Sequence, residues 1–191
     1  SGLPIYKEHE GFWRKHKLWP FNGGVRTPMI VSWPDRIKST GLRKQFIDVI
    51  DITPTVLDYV GIEAPTVFDG ICQMPVHGKS ARAMFDDASA PAPRDTQFFE
   101  LWGSRGIYHR GWKAVAFHTP GSDFGSDHWE LYKVSEDFTE ANDLAASHPK
   151  KLREMQDLWW AEATKHGALP HLEAVQFRQR TYDQILASPL R

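Results

Sequence analysis

Lys17-Leu-Trp-Pro-Phe-Asn-Gly-Gly-Val-Arg-Thr-Pro-Met-Ile-Val-Ser-Trp-Pro34 is the stretch on which the fold turns. Pro20 and the pair Gly23-Gly24 speak against regular helix through its first half. Val25–Trp33 then carries a short apolar run that suits a buried strand, with Pro28 near its start, where a strand tolerates it. Pro34-Asp35 turns the chain. The glycine pair lets other groups approach the backbone closely, and Lys17 supplies a mobile point charge suited to an anionic oxygen.

Upstream of this stretch, residues 1–24 are rich in His, Lys, Trp and Gly without a steady period, and read as irregular. Downstream, Phe46–Ile50 reads as a short strand or the approach to a helix. Thr53-Pro54 reads as a helix start, a Thr N-cap with Pro at the first helical position. Ile52, Val56, Leu57 and Val60 share a face, and Gly61 is placed to end the helix in the left-handed conformation. Residues 62–95 are mostly connection, and Asp86–Pro93 reads as a linker or exposed loop. A boundary there divides the chain into 1–90 and 91–191.

Short aromatic-rich runs separated by turn residues then signal an antiparallel sheet. Strands are expected at 97–102, 106–109, 112–118 and 129–134, with a turn at Arg110-Gly111. His148-Pro149 opens a helix over 148–166, in which Leu152, Met155, Leu158 and Trp159 recur at near-helical spacing. Gly167 stops it. A helix laid across a four-stranded sheet is an economical two-layer solution. Residues 168–191 carry no assignment.

Composition narrows the classes. The chain has 191 residues, a net charge of −1, 41% hydrophobic and 25% charged residues, the profile of a soluble globular protein. A nucleic-acid partner would need a clustered basic excess, which is absent. No apolar run approaches the ~20 residues of a membrane span. The opening Ser-Gly-Leu-Pro-Ile-Tyr has neither an initiator Met nor a signal-peptide pattern, and reads as a start inside a longer chain or a trimmed one. The single cysteine, Cys72, excludes an internal disulfide and a Cys-rich metal site, and is expected as a buried inert thiol. The 8 Trp, 11 Phe and 5 Tyr are expected mostly in cores, with a sugar- or aryl-stacking role open to a few.

Three segments together resemble the arylsulfatase family, of the alkaline-phosphatase-like superfamily, and within it the bacterial arylsulfatases. Lys17–Pro34 is similar to the family's K-x-x-x-[YF]-E-G-G-[IV]-R-x-P stretch, with the lysine six residues before the first glycine. Asp48-Val-Ile-Asp-Ile-Thr-Pro-Thr-Val-Leu-Asp-Tyr-Val-Gly-Ile, followed by Pro65 and Asp69-Gly70, is similar to its D-x-x-P-T-[LIV]-L-[DE]-x-[AV]-G pattern. Trp129-Glu-Leu-Tyr-Lys-Val-Ser-Glu-Asp-Phe-Thr-Glu-Ala-Asn-Asp-Leu-Ala is similar to E-L-Y-[DN]-[LV]-x-x-D-x-x-E-x-x-[ND]-L-A. The resemblance covers roughly residues 12–170. It implies an α/β architecture: the trailing part of a large α/β domain followed by a small antiparallel sheet packed with one helix.

The resemblance also implies chemistry. Lys17 would contact a sulfate ester and neutralise the oxygen that leaves. Arg14, His16 and His77 are weaker candidates for substrate contact, with Lys15 beside them. Asn22 stands where the family usually has Glu, so an ion pair from that position is not expected. The family's nucleophile, a formylglycine made from the Cys of C-x-P-S-R, has no counterpart here, since Cys72 lies in Ile-Cys-Gln-Met-Pro. The calcium the resemblance implies for the complete protein would take ligands outside this chain. Asp123 and Asp127 do not have EF-hand spacing and read as a solvated hairpin loop.

The expected partners are thus a sulfate-ester substrate and an N-terminal sulfatase segment, with a homo-oligomer compatible. Expected compartments are the bacterial cytoplasm or periplasm. Two other readings stay open: a phosphonate or phosphate monoester hydrolase on the same fold, and a non-catalytic remnant or interaction module.

Overall fold

The computed structural model describes residues 19–38 and 40–171. Their contacts fall into two units: the described residues up to Pro28 together with those from Phe98 onward, and Met29–Gln97.

The first unit is built on an antiparallel sheet, β3 (Thr96–Leu101), β4 (Ser104–His109), β5 (Trp112–Ala116) and β6 (Trp129–Tyr132), paired in chain order. The β3–β4 and β4–β5 connections are two residues long. Trp102-Gly103 and Arg110-Gly111 all take positive φ, at 54°, 89°, 47° and 80°, the turn type whose twist matches that of the flanking strands. The register pairs Ile107 with Ala114 and Ala114 with Leu131. These three face helix α4 (Pro149–Lys165), whose Met155, Trp159 and Ala163 recur every fourth residue and complete a fully buried core. Trp159 Nε1 donates to the Phe99 carbonyl at 3.1 Å, so the buried indole keeps a partner.

Side chains alternate across a strand, so Lys113, Val115 and Tyr132 point to the opposite face. Phe21 covers that face together with Val115, Tyr132 and Val134, and Trp19 stacks on Phe117 at 3.9 Å. The sheet is therefore closed on one side by its own helix and on the other by a segment from about 90 residues earlier in the chain. Gly106 permits this. A Cβ there would lie 2.9 Å from Pro20 Cβ.

Residues 22–25 form one helical turn, α1 (Asn22–Val25), where the sequence argued against helix. The glycine pair does not prevent it, because a single turn needs only a few backbone bonds: Gly24 and Val25 N–H groups donate to Phe21 O, and Arg26 N–H to Asn22 O. The expected strand over Val25–Trp33 is not formed among the described residues. Val25 belongs to α1, and Arg26–Trp33 has no ladder neighbour.

In the second unit, α2 (Ile52–Val60) is preceded by a 3₁₀ turn, Val49–Asp51. Asp48 and Asp51 close a capping box on that turn, so the helix begins before Thr53 and Pro54 falls within its first turn, where no N–H is required. Gly61 ends it at φ 68°, as the sequence suggested. A two-residue hairpin, β1 (Val67–Phe68) and β2 (Ile71–Cys72), and a short helix, α3 (Arg82–Asp86), were not anticipated. Cys72 is exposed on β2, not buried as expected; the hairpin is exposed throughout. A small core joins Ala81, Met84 and Phe85 to Ile37, Ile47, Tyr59 and Ala90.

Candidate functional site

Lys17, with Arg14, Lys15 and His16, lies outside the described residues. From Trp19 the chain is described, and at Asn22 it is anchored in a buried polar network.

Lys113, on β5, is 2% exposed and Glu140 is 1% exposed; Lys113 Nζ and Glu140 Oε1 pair at 2.8 Å. Asn22 joins both. Its backbone N–H donates to Glu140 Oε2 at 2.7 Å, and its side-chain oxygen accepts from Lys113 Nζ at 2.9 Å. Its side-chain amide also donates to the Phe138 carbonyl at 3.0 Å. Burial lowers the Lys113 pKa below its ordinary value, and Glu140 opposes that shift. Arg26 lies over the Phe138 ring at 4.1 Å; burial lowers its pKa, with Tyr108 and Glu140 pulling the other way. Glu140 takes φ 58°, a left-handed conformation uncommon in a non-glycine residue. Its carboxylate meets α1 at the end where helical N–H groups lack partners. Asn22 thus does take part in an ionic network, with the carboxylate supplied from Glu140.

A second buried group lies around the β5–β6 connection. Asp127 accepts from Arg105, and its carboxylate lies 3.0 Å from His118 Nδ1. Its side chain is 3% exposed, which corrects the expectation of a solvated loop for this residue. Asp123 caps the 3₁₀ turn Phe124–Ser126. Burial lowers the Arg105 pKa, opposed by Asp127. A cavity of about 400 Å³ borders this group, lined among others by Phe21, Phe117, Asp127 and Glu130.

In the second unit, Arg94 pairs with Asp51, both buried. Asp51 also accepts from the Lys79 N–H at 2.8 Å, so it ties the start of α2 to the chain before α3. His77 is exposed, and its carbonyl accepts from Arg94. Among the described residues no set of three or more His, Cys, Asp or Glu is arranged to hold a metal ion, and no helix is long and apolar enough to cross a membrane.

Sequence reasoning gave no role to Lys113 or Glu140. The signals were there: Lys113 sits in Gly-Trp-Lys-Ala, and Glu140 is the third glutamate of the Glu-Leu-Tyr segment. Nothing in one sequence pairs Asn22 with Glu140, 118 positions away.

The family model "N-sulphoglucosamine sulphohydrolase, C-terminal" matches residues 8–163. An uncharacterized sulfatase of Schizosaccharomyces pombe is 32% identical over 150 residues, covering 77% of this chain and 26% of that protein. N-acetylglucosamine-6-O-sulfatase of Bacteroides thetaiotaomicron is 24% identical over 164 residues, 81% of this chain and 28% of that protein. A solved 6S-sulf structure from the Bacteroides thetaiotaomicron locus for glycosaminoglycan metabolism superposes with a TM-score of 0.63 at 20% identity, covering 81% of this chain and 32% of that one. The chain spans about a quarter of the length of the curated relatives it matches.

Proposed function

The chain belongs to the family of N-sulphoglucosamine sulphohydrolase C-terminal domains, and from that premise we propose that it is the C-terminal part of an enzyme that hydrolyses sulfate monoesters of the arylsulfatase type. Lys17 binds a sulfate oxygen and stabilises the charge that develops on the leaving oxygen. The observation that carries this reading is the α1 turn with its glycine pair, held in a buried polar network five residues after Lys17.

The nucleophile and the metal belong to an N-terminal segment of the complete protein. Calcium is the ion the resemblance implies; no ligand set for it is found among the described residues, and no step is routed through it. Residues 1–90 then trail the large α/β domain, with the described residues 19–28 packed on the sheet of the C-terminal subdomain, 91–191. Supporting a partner segment, Ile30, Val56, Phe68, Ile71 and Met74 are all exposed, and apolar surface on this scale marks a face that meets something else. Among sulfate esters, a sulfated glucosamine is favoured over a simple aryl sulfate, on the family description and the Bacteroides relative.

The test is the complete gene product, assayed with an aryl sulfate, a glucosamine 6-sulfate and an aryl phosphate. Both sulfates are expected to turn over, the sugar with the higher kcat/KM, and the phosphate poorly. Lys17→Ala should lower kcat/KM by about a hundredfold, and the 191-residue chain alone should be inactive. A Lys17→Ala variant within twofold of the parent, or a preference for the phosphate, would overturn the reading.

A further inference from the structure

We propose that the cavity beside the β5–β6 connection is a binding site for a sugar ring that carries no negative charge, either neutral or amine-bearing; the role of Lys17 does not enter. The cavity measures about 400 Å³, within the roughly 300–1,000 Å³ of small-ligand sites. Its lining joins two aromatic rings, Phe21 and Phe117, to the polar side chains of Ser122, Ser126, Asp127 and Glu130. Both rings are braced. Phe117 is half-buried and stacks on Trp19 at 3.9 Å, and Phe21 packs with Val115 and Tyr132. Rings held in this way form a preorganised apolar wall, and the C–H groups of a sugar are drawn to the negative face of a π-system.

The polar lining presents acceptors. Ser122 Oγ donates its one proton to the Thr119 carbonyl at 2.7 Å, and Ser126 Oγ donates to the Asp123 carbonyl at 2.6 Å. What each hydroxyl has left is lone pairs. A carboxylate only accepts. Asp127, its side chain 3% exposed, pairs with Arg105 and lies 3.0 Å from His118 Nδ1. Glu130 accepts from the Tyr132 hydroxyl. His128, also in the lining, is 78% exposed and lies 3.7 Å from Asp143. A ligand that fits must therefore bring donors. The hydroxyls of a sugar do so, as does an ammonium, and a hydrogen bond to a charged acceptor is roughly twice as strong as a neutral one. An anionic ligand would set its charge against two carboxylates, while the Arg105 charge is committed to Asp127. A wholly apolar ligand would leave the same acceptors desolvated.

The experiment uses the complete protein and three sulfate-free probes: methyl glucoside, its 2-amino-2-deoxy counterpart and methyl glucuronide. Each is titrated calorimetrically into the parent, Ser126→Leu and Glu130→Gln. Ser126→Leu adds bulk to the lining from an exposed position. Glu130→Gln keeps an oxygen for the Tyr132 hydroxyl and removes a charge. Melting curves establish that both variants fold.

The site is supported if the glucoside and the amino sugar both bind the parent, the amino sugar more tightly, and the glucuronide binds about tenfold more weakly than either, or worse. Ser126→Leu should weaken both of the first two by about tenfold or more, and Glu130→Gln should remove the advantage of the amine. Absence of binding to the parent overturns the assignment. So does binding that Ser126→Leu leaves unchanged, because the sugar then sits elsewhere, and so does a glucuronide bound as tightly as the glucoside. None of these results touches the Lys17→Ala test, which reads turnover. If Ser126→Leu does not fold, Glu130→Gln decides: an amine preference that survives it overturns the site.

Discussion

Residues 98–171, with 19–28, bury apolar side chains on both faces of one sheet, whereas Met29–Gln97 turns many of its apolar side chains outward. In the first group Ile107, Ala114, Leu131, Met155 and Trp159 are all at 0% exposure. In the second, Ile30 stands at 93% and Phe68 at 68%. Both sequences are apolar enough to build a core, so composition is not the difference. The sheet finds its covering layers within the described chain: α4 on one side, Trp19 and Phe21 on the other. The second unit has a core of three buried residues and leaves α2 and the β1–β2 hairpin with exposed apolar positions. The contrast is between a unit that supplies its own covering layers and one that leaves apolar side chains in water.

The most severe way to break the self-contained part is Trp159→Ala. The side chain is fully buried, touches Trp129 edge-on and bonds the Phe99 carbonyl. Its removal should cost about 3–5 kcal/mol, read as a fall in the denaturant midpoint. A loss under about 1 kcal/mol would mean that the α4 face is not the core of this unit, a size that belongs to surface sites.

The two parts also differ in how legible they were. Turn chemistry and short aromatic runs placed β3 to β6 and α4 within a few residues of where they stand, because hairpins and amphipathic helices are encoded by neighbours. The Arg110-Gly111 turn is such a case, as both residues must take positive φ. Local apolarity predicts a strand over Val25–Trp33, but strand formation depends on a neighbour that no local pattern supplies. Asn22, in place of the family's Glu, predicts no ion pair from that position, and it makes none itself. The network forms regardless, because Glu140 reaches α1 across 118 residues. Residue type predicts a buried Cys72, and the hairpin that carries it is exposed. The candidate site was legible as a motif, and its support was not, since support is long-range.

A milder test sharpens the second half of the comparison. Ile30→Asp and Phe68→Asp are expected to leave the stability of the 191-residue chain within about 0.5 kcal/mol, as surface substitutions do, and to raise its solubility. In the complete protein the same changes should lower the melting temperature by several degrees, because a charge would then be buried without a partner. Equal behaviour in both contexts would mean that this face stays in water in the complete protein, and the outward apolar residues would need a partner from another chain.

The smallest expected effect returns to the sheet. Glu100, on β3, is half-buried; desolvation raises its pKa, while the Gly103 N–H it accepts at 2.9 Å pulls it down. A carboxyl with a raised folded pKa contributes stability that is fully present below the ordinary carboxylate pKa and is lost as pH rises through the folded value. Above its folded value the carboxylate is thus ionised in a site that disfavours the charge. Glu100→Gln keeps an oxygen for the Gly103 turn and removes the charge. It should melt slightly above the parent at pH 7, with the difference shrinking as pH falls toward 4. A Glu100→Gln variant that melts below the parent at pH 7 would show that the carboxylate's bond to the β3–β4 turn outweighs the cost of burying it. The turn would then depend on charge as well as on the positive φ of Trp102 and Gly103.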